Sequence, residues 1–134
     1  MIAFDTSGLI KRYVDEQHSA WVEEVMDADR GWGGSTLLAA ETAIVLARTE
    51  QTTEDLALVD ARVSRDLEFF DMVPMDADCL VNAIQLGRAF GLRTLDAIHL
   101  AAFRAMPAGC RVVTFDERLG NAAQEIGLTL LTPA

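Results

Sequence analysis

Short apolar runs that end at Asp, Ser or Gly alternate along this chain with longer segments of helical period. Parallel strands are joined by crossover connections that are usually helices, so this alternation predicts a parallel sheet covered by helices. The five predicted strands are Met1–Phe4, Trp32–Ser35, Met72–Met75, Arg111–Thr114 and Thr129–Leu131. We therefore expect a three-layer α/β/α sandwich rather than a barrel or a helical bundle.

Seven helices are predicted from apolar positions at helical spacing and from Ser, Thr and Asp residues that suit their first turns. They span Ser7–Val14, Ser19–Asp27, Leu37–Arg48, Thr53–Glu68, Ala77–Phe90, Thr94–Arg104 and Glu117–Ile126. The chain has 134 residues and no internal repeat or low-complexity tract. We expect one domain over residues 1–134.

Composition and charge narrow the environment and the partners. Hydrophobic residues make up 51% of the chain, but no apolar run approaches the roughly eighteen residues of a membrane span. The amino terminus runs from an apolar strand directly into Asp5 and resembles no targeting peptide, so we expect a cytoplasmic protein. A net charge of -10 opposes non-specific coating of a nucleic acid.

Four acidic residues occupy positions that suggest a metal site. Asp5 and Asp116 each follow a predicted strand, and Asp96 lies in the first turn of a predicted helix. Glu41 falls on the apolar face of its helix. A carboxylate beside aliphatic groups costs several kcal/mol to ionise unless a cation or partner compensates it. If the four converge at one sheet edge, their oxygens suit Mg²⁺ or Mn²⁺.

Each acid also has a plain structural interpretation. Asp5 and Asp116 could act only as helix N-caps, and Asp96 could act only through the helix dipole. Glu41 could be neutralised by Arg48, which lies two turns later on nearly the same face. The repetition of the arrangement favours the metal site over four separate structural roles.

Other acidic or nucleophilic α/β sites lack their required residues here. Ser7 stands where a phosphatase needs its second Asp, and Lys11 is too early for the lysine of a phospho-acceptor domain. Neither a Gly-Lys-Ser/Thr phosphate loop nor a Gly-x-Ser-x-Gly turn is present in the sequence. Metal-dependent phosphodiester chemistry remains the strongest candidate.

Four segments together resemble the PIN-domain ribonucleases, and among them most closely the VapC toxins. The segments are Phe4-Asp5-Thr6-Ser7, Glu41 to Arg48, Leu95-Asp96-Ala97-Ile98-His99-Leu100-Ala101 and Val113-Thr114-Phe115-Asp116. They occur in the order and approximate spacing of that family, so the resemblance covers essentially the whole chain. The third segment is the most distinctive.

The resemblance implies a five-stranded parallel sheet and an endoribonuclease that hydrolyses RNA phosphodiester bonds. Asp5, Glu41, Asp96 and Asp116 match the family's acidic quartet around Mg²⁺ or Mn²⁺. Ser7 and Thr114 match positions that can hold a metal-bound water or a phosphate oxygen. The family further implies a type II toxin-antitoxin pair with a VapB-like antitoxin, and a homodimer. Whether one or two ions bind stays open.

Further expectations concern the residues around the quartet. His99 should form a hydrogen bond inside the fold, and the aromatic residues of the amino-terminal part could serve either an antitoxin interface or core packing. Those aromatic residues are Tyr13, Trp21 and Trp32. The basic residues that could contact RNA are Lys11, Arg12, Arg48, Arg93 and Arg118. The alternatives are a non-catalytic PIN-like scaffold and a structure-specific DNA nuclease.

Overall fold

Five parallel strands form one sheet in this computed structural model, which describes residues 1–50 and 52–134. The strands are β1 Ile2–Phe4, β2 Trp32–Ser35, β3 Phe70–Val73, β4 Arg111–Val113 and β5 Thr129–Leu130. Their order across the sheet is β3-β2-β1-β4-β5. The predicted parallel sheet is confirmed, and each of the five predicted strands overlaps an observed one.

Helices connect consecutive strands, as parallel pairing requires. They are α1 Thr6–Leu9, α2 Ser19–Ala28, α3 Leu37–Thr49, α4 Thr53–Leu67, α5 Ala77–Phe90, α6 Thr94–Ala105 and α7 Glu117–Glu125, with a 3₁₀ turn at Ile10–Arg12. Across the described ranges, no helix is long and apolar enough to span a bilayer.

Alternating side chains of β1 separate the two apolar layers. Ile2 and Phe4 are buried against α1 to α4, whereas Ala3 is buried against α5 to α7. This alternation is the period of two that a strand imposes, and it places helices on both faces of the sheet. The expected three-layer α/β/α architecture is confirmed.

The predicted position of the third strand was wrong by two residues. We expected Met72–Met75, but β3 covers Phe70–Val73 and pairs with the whole of β2, from Trp32 opposite Phe70 to Ser35 opposite Val73. Pro74 has no N–H to donate to a neighbouring strand, so the pairing ends before it. Phe70 also packs its ring against Phe4.

The first helix is shorter than predicted. It spans Thr6–Leu9 and tightens into a 3₁₀ turn at Ile10–Arg12, rather than continuing to Val14 as one α-helix. Its close approach to the sheet depends on Gly8, where an added Cβ would lie 2.6 Å from the carbonyl oxygen of Val113. The turn then brings the Tyr13 hydroxyl to Asp66, to which it donates at 2.7 Å.

The sheet reverses its winding direction at the central strand. The chain proceeds from β1 through β2 to β3 on one side, then returns to place β4 and β5 on the other side. Ligands in open α/β sheets bind outside the carboxyl ends of the strands at such a switch point. Here that point lies between β1 and β4, at the ends that lead into Asp5 and Thr114.

Candidate active site

Asp5 lies directly after β1 and is 4% exposed. Its Oδ1 accepts a hydrogen bond from the Gly8 N–H at 2.9 Å, which caps α1. Ser7 Oγ lies 2.8 and 2.9 Å from its two oxygens, and Thr114 Oγ1 donates to Oδ2 at 2.6 Å. Asp5 therefore joins the carboxyl ends of β1 and β4.

Ser7 and Thr114 form a hydroxyl pair around Asp5. Their oxygens lie 3.3 Å apart. Ser7 Oγ accepts the Phe115 N–H at 2.9 Å, and Thr114 Oγ1 accepts the Asp116 N–H at 3.1 Å. Both predicted supporting residues are thus at the strand ends, where they fix the β4–α7 corner relative to Asp5.

Burial raises the pKa of Asp5 above its ordinary value. The hydrogen bonds from Thr114, Gly8 and Ser7 favour the ionised form and oppose this effect, but burial is the larger influence. An additional positive charge near Asp5 would therefore be favourable.

Glu41 extends from α3 toward α6, where His99 meets it. His99 Nε2 lies 2.5 Å from Glu41 Oε1, and Thr6 Oγ1 donates to the same oxygen at 2.7 Å. His99 is 2% exposed, and its Nδ1 has no hydrogen-bond partner among the residues the structure describes. A carboxylate oxygen accepts hydrogen bonds, so His99 Nε2 is the donor to Glu41.

These contacts determine the charge state of Glu41. Burial alone would raise its pKa, but the hydrogen bonds from His99 and Thr6 outweigh that effect and lower it. Both hydrogen bonds end on Oε1. Glu41 is therefore held as a carboxylate, and within the described part of the chain its Oε2 accepts no hydrogen bond.

Asp96 and Asp116 stand at the first turns of α6 and α7. Asp116 caps α7, because its Oδ1 accepts the Leu119 N–H at 2.8 Å. Asp96 is half-buried, and its pKa is raised first by burial and then by the negative charge of Asp116, with a smaller contribution from Glu41. The fold thus brings like charges together, an arrangement that a cation would relieve.

The carboxylates fit a partly hydrated divalent ion. Within residues 1–50 and 52–134, no three Asp, Glu, His or Cys side chains are close enough to form an ion cage by themselves. Mg²⁺ commonly takes only one or two carboxylates and keeps several waters. Asp96, Asp116 and the Oε2 of Glu41 supply oxygens of the preferred type, whereas both oxygens of Asp5 already accept hydrogen bonds.

The other predicted basic and aromatic residues lie in different environments: ion pairs, the surface or the core. Lys11 pairs with Glu16, and Arg12 pairs with Asp66 and Glu23, so the contacts of both lie within the fold. Arg48 is exposed and forms no described ion pair with Glu41. The buried Tyr13 and Trp32 belong to the core, whereas Trp21 is half-buried.

Sequence reasoning missed an aromatic support at the β4–α7 corner. The ring of Phe115 stacks on His18 with centroids 5.6 Å apart and receives the edge of Trp21 at 6.0 Å. Lys11 Nζ lies 4.5 Å from its centroid. His18 adopts a left-handed backbone at φ 70°, a conformation that costs free energy for a residue other than glycine. The apolar residue between Thr114 and Asp116 was the available signal.

Thr6 was also missed, and His99 was only partly understood. His99 does form a hydrogen bond inside the fold, as expected, but its partner is the acid of the candidate site. Thr6 lies beside Asp5 in the sequence, yet its hydroxyl donates a hydrogen bond to Glu41 on α3. Both contacts depend on how α1, α3 and α6 pack, which local patterns do not specify.

The PIN domain family model matches residues 2–125. Ribonuclease VapC47 of Mycobacterium tuberculosis is 32% identical over 138 aligned positions, which cover 99% of this chain and 97% of that protein. Ribonuclease VapC46 of the same species is 28% identical and covers 99% of this chain and 98% of its own length.

Solved structures share the fold at low identity. FitAcB from Neisseria gonorrhoeae superposes with a TM-score of 0.77 at 17% identity, over 99% of this chain and 98% of that one. VapC20 of Mycobacterium tuberculosis, a toxin described as cleaving the sarcin-ricin loop, gives 0.73 at 19% identity over 99% and 100%. With the family model and the full-length likeness to VapC47, these findings establish that the chain belongs to the PIN-domain family, among its VapC-like ribonucleases.

Proposed function

We propose that this protein is a metal-dependent endoribonuclease that acts as the toxin of a toxin-antitoxin pair. The observation that supports it most is that Asp5 and Asp116 follow the carboxyl ends of β1 and β4 at the switch point, with Asp96 close enough to Asp116 for their charges to interact. Carboxylates gathered there bind divalent ions and act on phosphodiesters in many α/β enzymes. The relatives named as ribonucleases support RNA as the substrate.

In this proposal some residues provide negative charge for the metal ion, and others hold those residues in position. Asp96, Asp116 and Glu41 supply the negative potential, and His99 with Thr6 keeps Glu41 ionised and oriented. Asp5 ties the hydroxyls of Ser7 and Thr114 to the two central strands. A bound Mg²⁺ or Mn²⁺ would supply an activated water for in-line attack and stabilise charge on the phosphoryl oxygens.

The partners follow from the same proposal. A toxin-antitoxin complex from Klebsiella pneumoniae shares the fold over 100% of this chain at a TM-score of 0.72, which supports a VapB-like antitoxin here. A homodimer is supported by Leu80, Val81 and Ile84, which expose an apolar strip on α5. Molar mass measured by light scattering after gel filtration tests the dimer.

We also propose that the protein acts in the cytoplasm.

One observation favours a second candidate, a non-catalytic PIN-like scaffold. Over the described residues the acids do not form a complete ion cage, and the oxygens of Asp5 are satisfied by its neighbours. A scaffold would retain the fold and the acidic edge but would not cleave RNA.

Cleavage of a mixed RNA pool separates the two candidates. Wild-type protein, Asp96→Asn and Asp60→Asn should be compared in Mg²⁺, Mn²⁺ and EDTA, with ion binding measured by titration calorimetry. Asp60 is an exposed acid of α4 and serves as the charge-matched control. Metal-dependent products from wild type and Asp60→Asn, but not from Asp96→Asn, would support the nuclease. Ion binding without cleavage of RNA would favour the scaffold, and equal cutting by all three proteins would indicate contamination.

A further inference from the structure

Most basic side chains of this protein either form an ion pair or lie at the end of a helix, where the helix dipole stabilises their charge. The eleven Lys and Arg residues include five that form ion pairs within the described chain. These are Lys11, Arg12, Arg30, Arg62 and Arg111. A further four stand in the last turns of helices, where the helix dipole stabilises a cation. These are Arg48, Arg65, Arg88 and Arg104.

Two arginines remain, and both stand where helices begin. Arg118 is the second residue of α7, and its side chain donates to the carbonyl oxygen of Gly91 at 3.2 Å. That bond ties the start of α7 to the turn between α5 and α6. Arg93 is the N-cap residue of α6, is exposed, and has no described side-chain hydrogen bond or ion pair. The positive end of the helix dipole disfavours a cation there.

Arg93 stands at the start of the helix that carries Asp96. Arg93 and Asp96 are the N-cap and third residues of α6, and residues three apart lie on the same side of a helical turn. No ion pair joins them among the described contacts, and the Arg93 side chain is exposed to solvent. Arg93 therefore stands one turn before Asp96, and its guanidinium has no described partner.

We propose that Arg93 binds a phosphate of the RNA substrate next to the bond that is cleaved. This inference rests on the proposed nuclease function. A protein with a net charge of -10 repels a polyanion, so a local cation beside the carboxylates is needed to hold the strand in register. A guanidinium offers a planar pair of donors that matches two phosphate oxygens.

Arg104 provides a matched control at the other end of the same helix. It is exposed, has no described ion pair, and stands eleven positions after Arg93, which corresponds to about 16 Å along an α-helix. Arg93→Gln and Arg104→Gln change the net charge equally. Arg93→Lys keeps the charge but loses the two-donor geometry.

The experiment measures kcat and KM for cleavage of a short fluorescein-labelled single-stranded RNA over a series of NaCl concentrations. Fluorescence anisotropy with the same RNA, in an Asp116→Asn background, gives affinity without cleavage. Arg93→Gln should weaken binding and raise KM by about three- to ten-fold, with a much smaller change in kcat. The slope of log affinity against log salt should fall by about 0.7. Arg93→Lys should lie between wild type and Arg93→Gln.

Two outcomes would overturn the inference. Equal KM and equal salt slopes for Arg93→Gln and Arg104→Gln would show that only net charge matters. If Arg93→Gln lowered only kcat and left the affinity for RNA unchanged, Arg93 would not be an RNA-binding residue. Failure of the proposed function looks different, because the wild-type protein would then cleave no RNA in the presence of Mg²⁺ or Mn²⁺. Circular dichroism of each variant confirms that the comparison is between folded proteins.

Discussion

His99 Nε2 and Glu41 Oε1 lie 2.5 Å apart and join α6 to α3 across the candidate site. His99 is almost completely buried, whereas Glu41 is partly open to solvent. Because the buried His99 ring holds Oε1, the Glu41 carboxylate is fixed in orientation and its Oε2 keeps a defined position. His99 therefore acts on the candidate metal site through the carboxylate that it holds.

Replacing His99 should separate this positioning role from simple packing. The side-chain amide nitrogen of Gln can occupy the place of Nε2, so His99→Gln should retain most of the metal-dependent cleavage. His99→Leu fills the space without a donor and should lower activity by about 10- to 100-fold, as the loss of other hydrogen bonds to metal ligands does. Initial rates over a Mg²⁺ series test this. Equal losses in both variants, with normal unfolding curves, would contradict the positioning role.

Asp116→Asn should remove activity without harming the fold. Asn caps helices about as well as Asp, so the bond to the Leu119 N–H can persist. The like-charge repulsion on Asp96 is relieved. We expect the metal-free variant to melt at or above the wild-type temperature in EDTA, while Mg²⁺-induced stabilisation is lost and cleavage falls by about 100-fold or more. Differential scanning calorimetry with and without Mg²⁺ measures the first two effects. A large drop in the EDTA melting temperature would show that Asp116 is mainly structural.

Asp66 on α4 should contribute to the stability that the protein loses at acid pH. Burial would raise its pKa, but the hydrogen bonds from Arg12 and Tyr13 lower it below the ordinary 3.8. An acid with a lowered folded-state pKa stabilises the fold above its ordinary pKa, and this stabilisation is lost as the pH falls through the folded-state value. Asp66→Asn should therefore cost about 1–3 kcal/mol at neutral pH and less below pH 3.8.

Urea unfolding over a pH series measures this dependence. Asp60→Asn is the control, because Asp60 is exposed on the same helix and has no described hydrogen bond. If the difference between wild type and Asp66→Asn stayed constant across the series, the ion pair with Arg12 would not be the source of the stabilisation.

Gly8→Ala should destabilise the protein, and Gly87→Ala should not. A Cβ at Gly8 would lie 2.6 Å from the Val113 carbonyl oxygen, which belongs to the sheet and cannot move aside. A Cβ at Gly87 would meet the Ala97 methyl group at 3.2 Å and the Leu92 carbonyl oxygen at 3.8 Å, and alanine favours a helix. We expect a loss of about 1–3 kcal/mol for Gly8→Ala, measured by urea unfolding, and a change near zero for the control. A stable Gly8→Ala would mean that α1 can shift away from the sheet.

Local sequence was sufficient for the sheet and for the positions of the acids. Asp5 and Asp116 follow strands as predicted, and each also caps the next helix, so the structural interpretation holds as well. The hydrogen bonds of Glu41 were not predictable, because it meets His99 and Thr6 only through the packing of separate helices. The start of β3 was misplaced because its register depends on β2. The single domain over residues 1–134 and the roles of the site residues stay predictions.

The environment of Phe115 has a mechanical consequence. All three groups that hold its ring come from one short stretch, residues 11–21, and its backbone N–H is fixed by Ser7. The same residue separates Thr114 from Asp116, so displacement of that stretch pulls on the acidic corner. A protein bound to the outer side of residues 11–21 would therefore contact the segment that supports the Thr114–Asp116 corner without touching the carboxylates themselves.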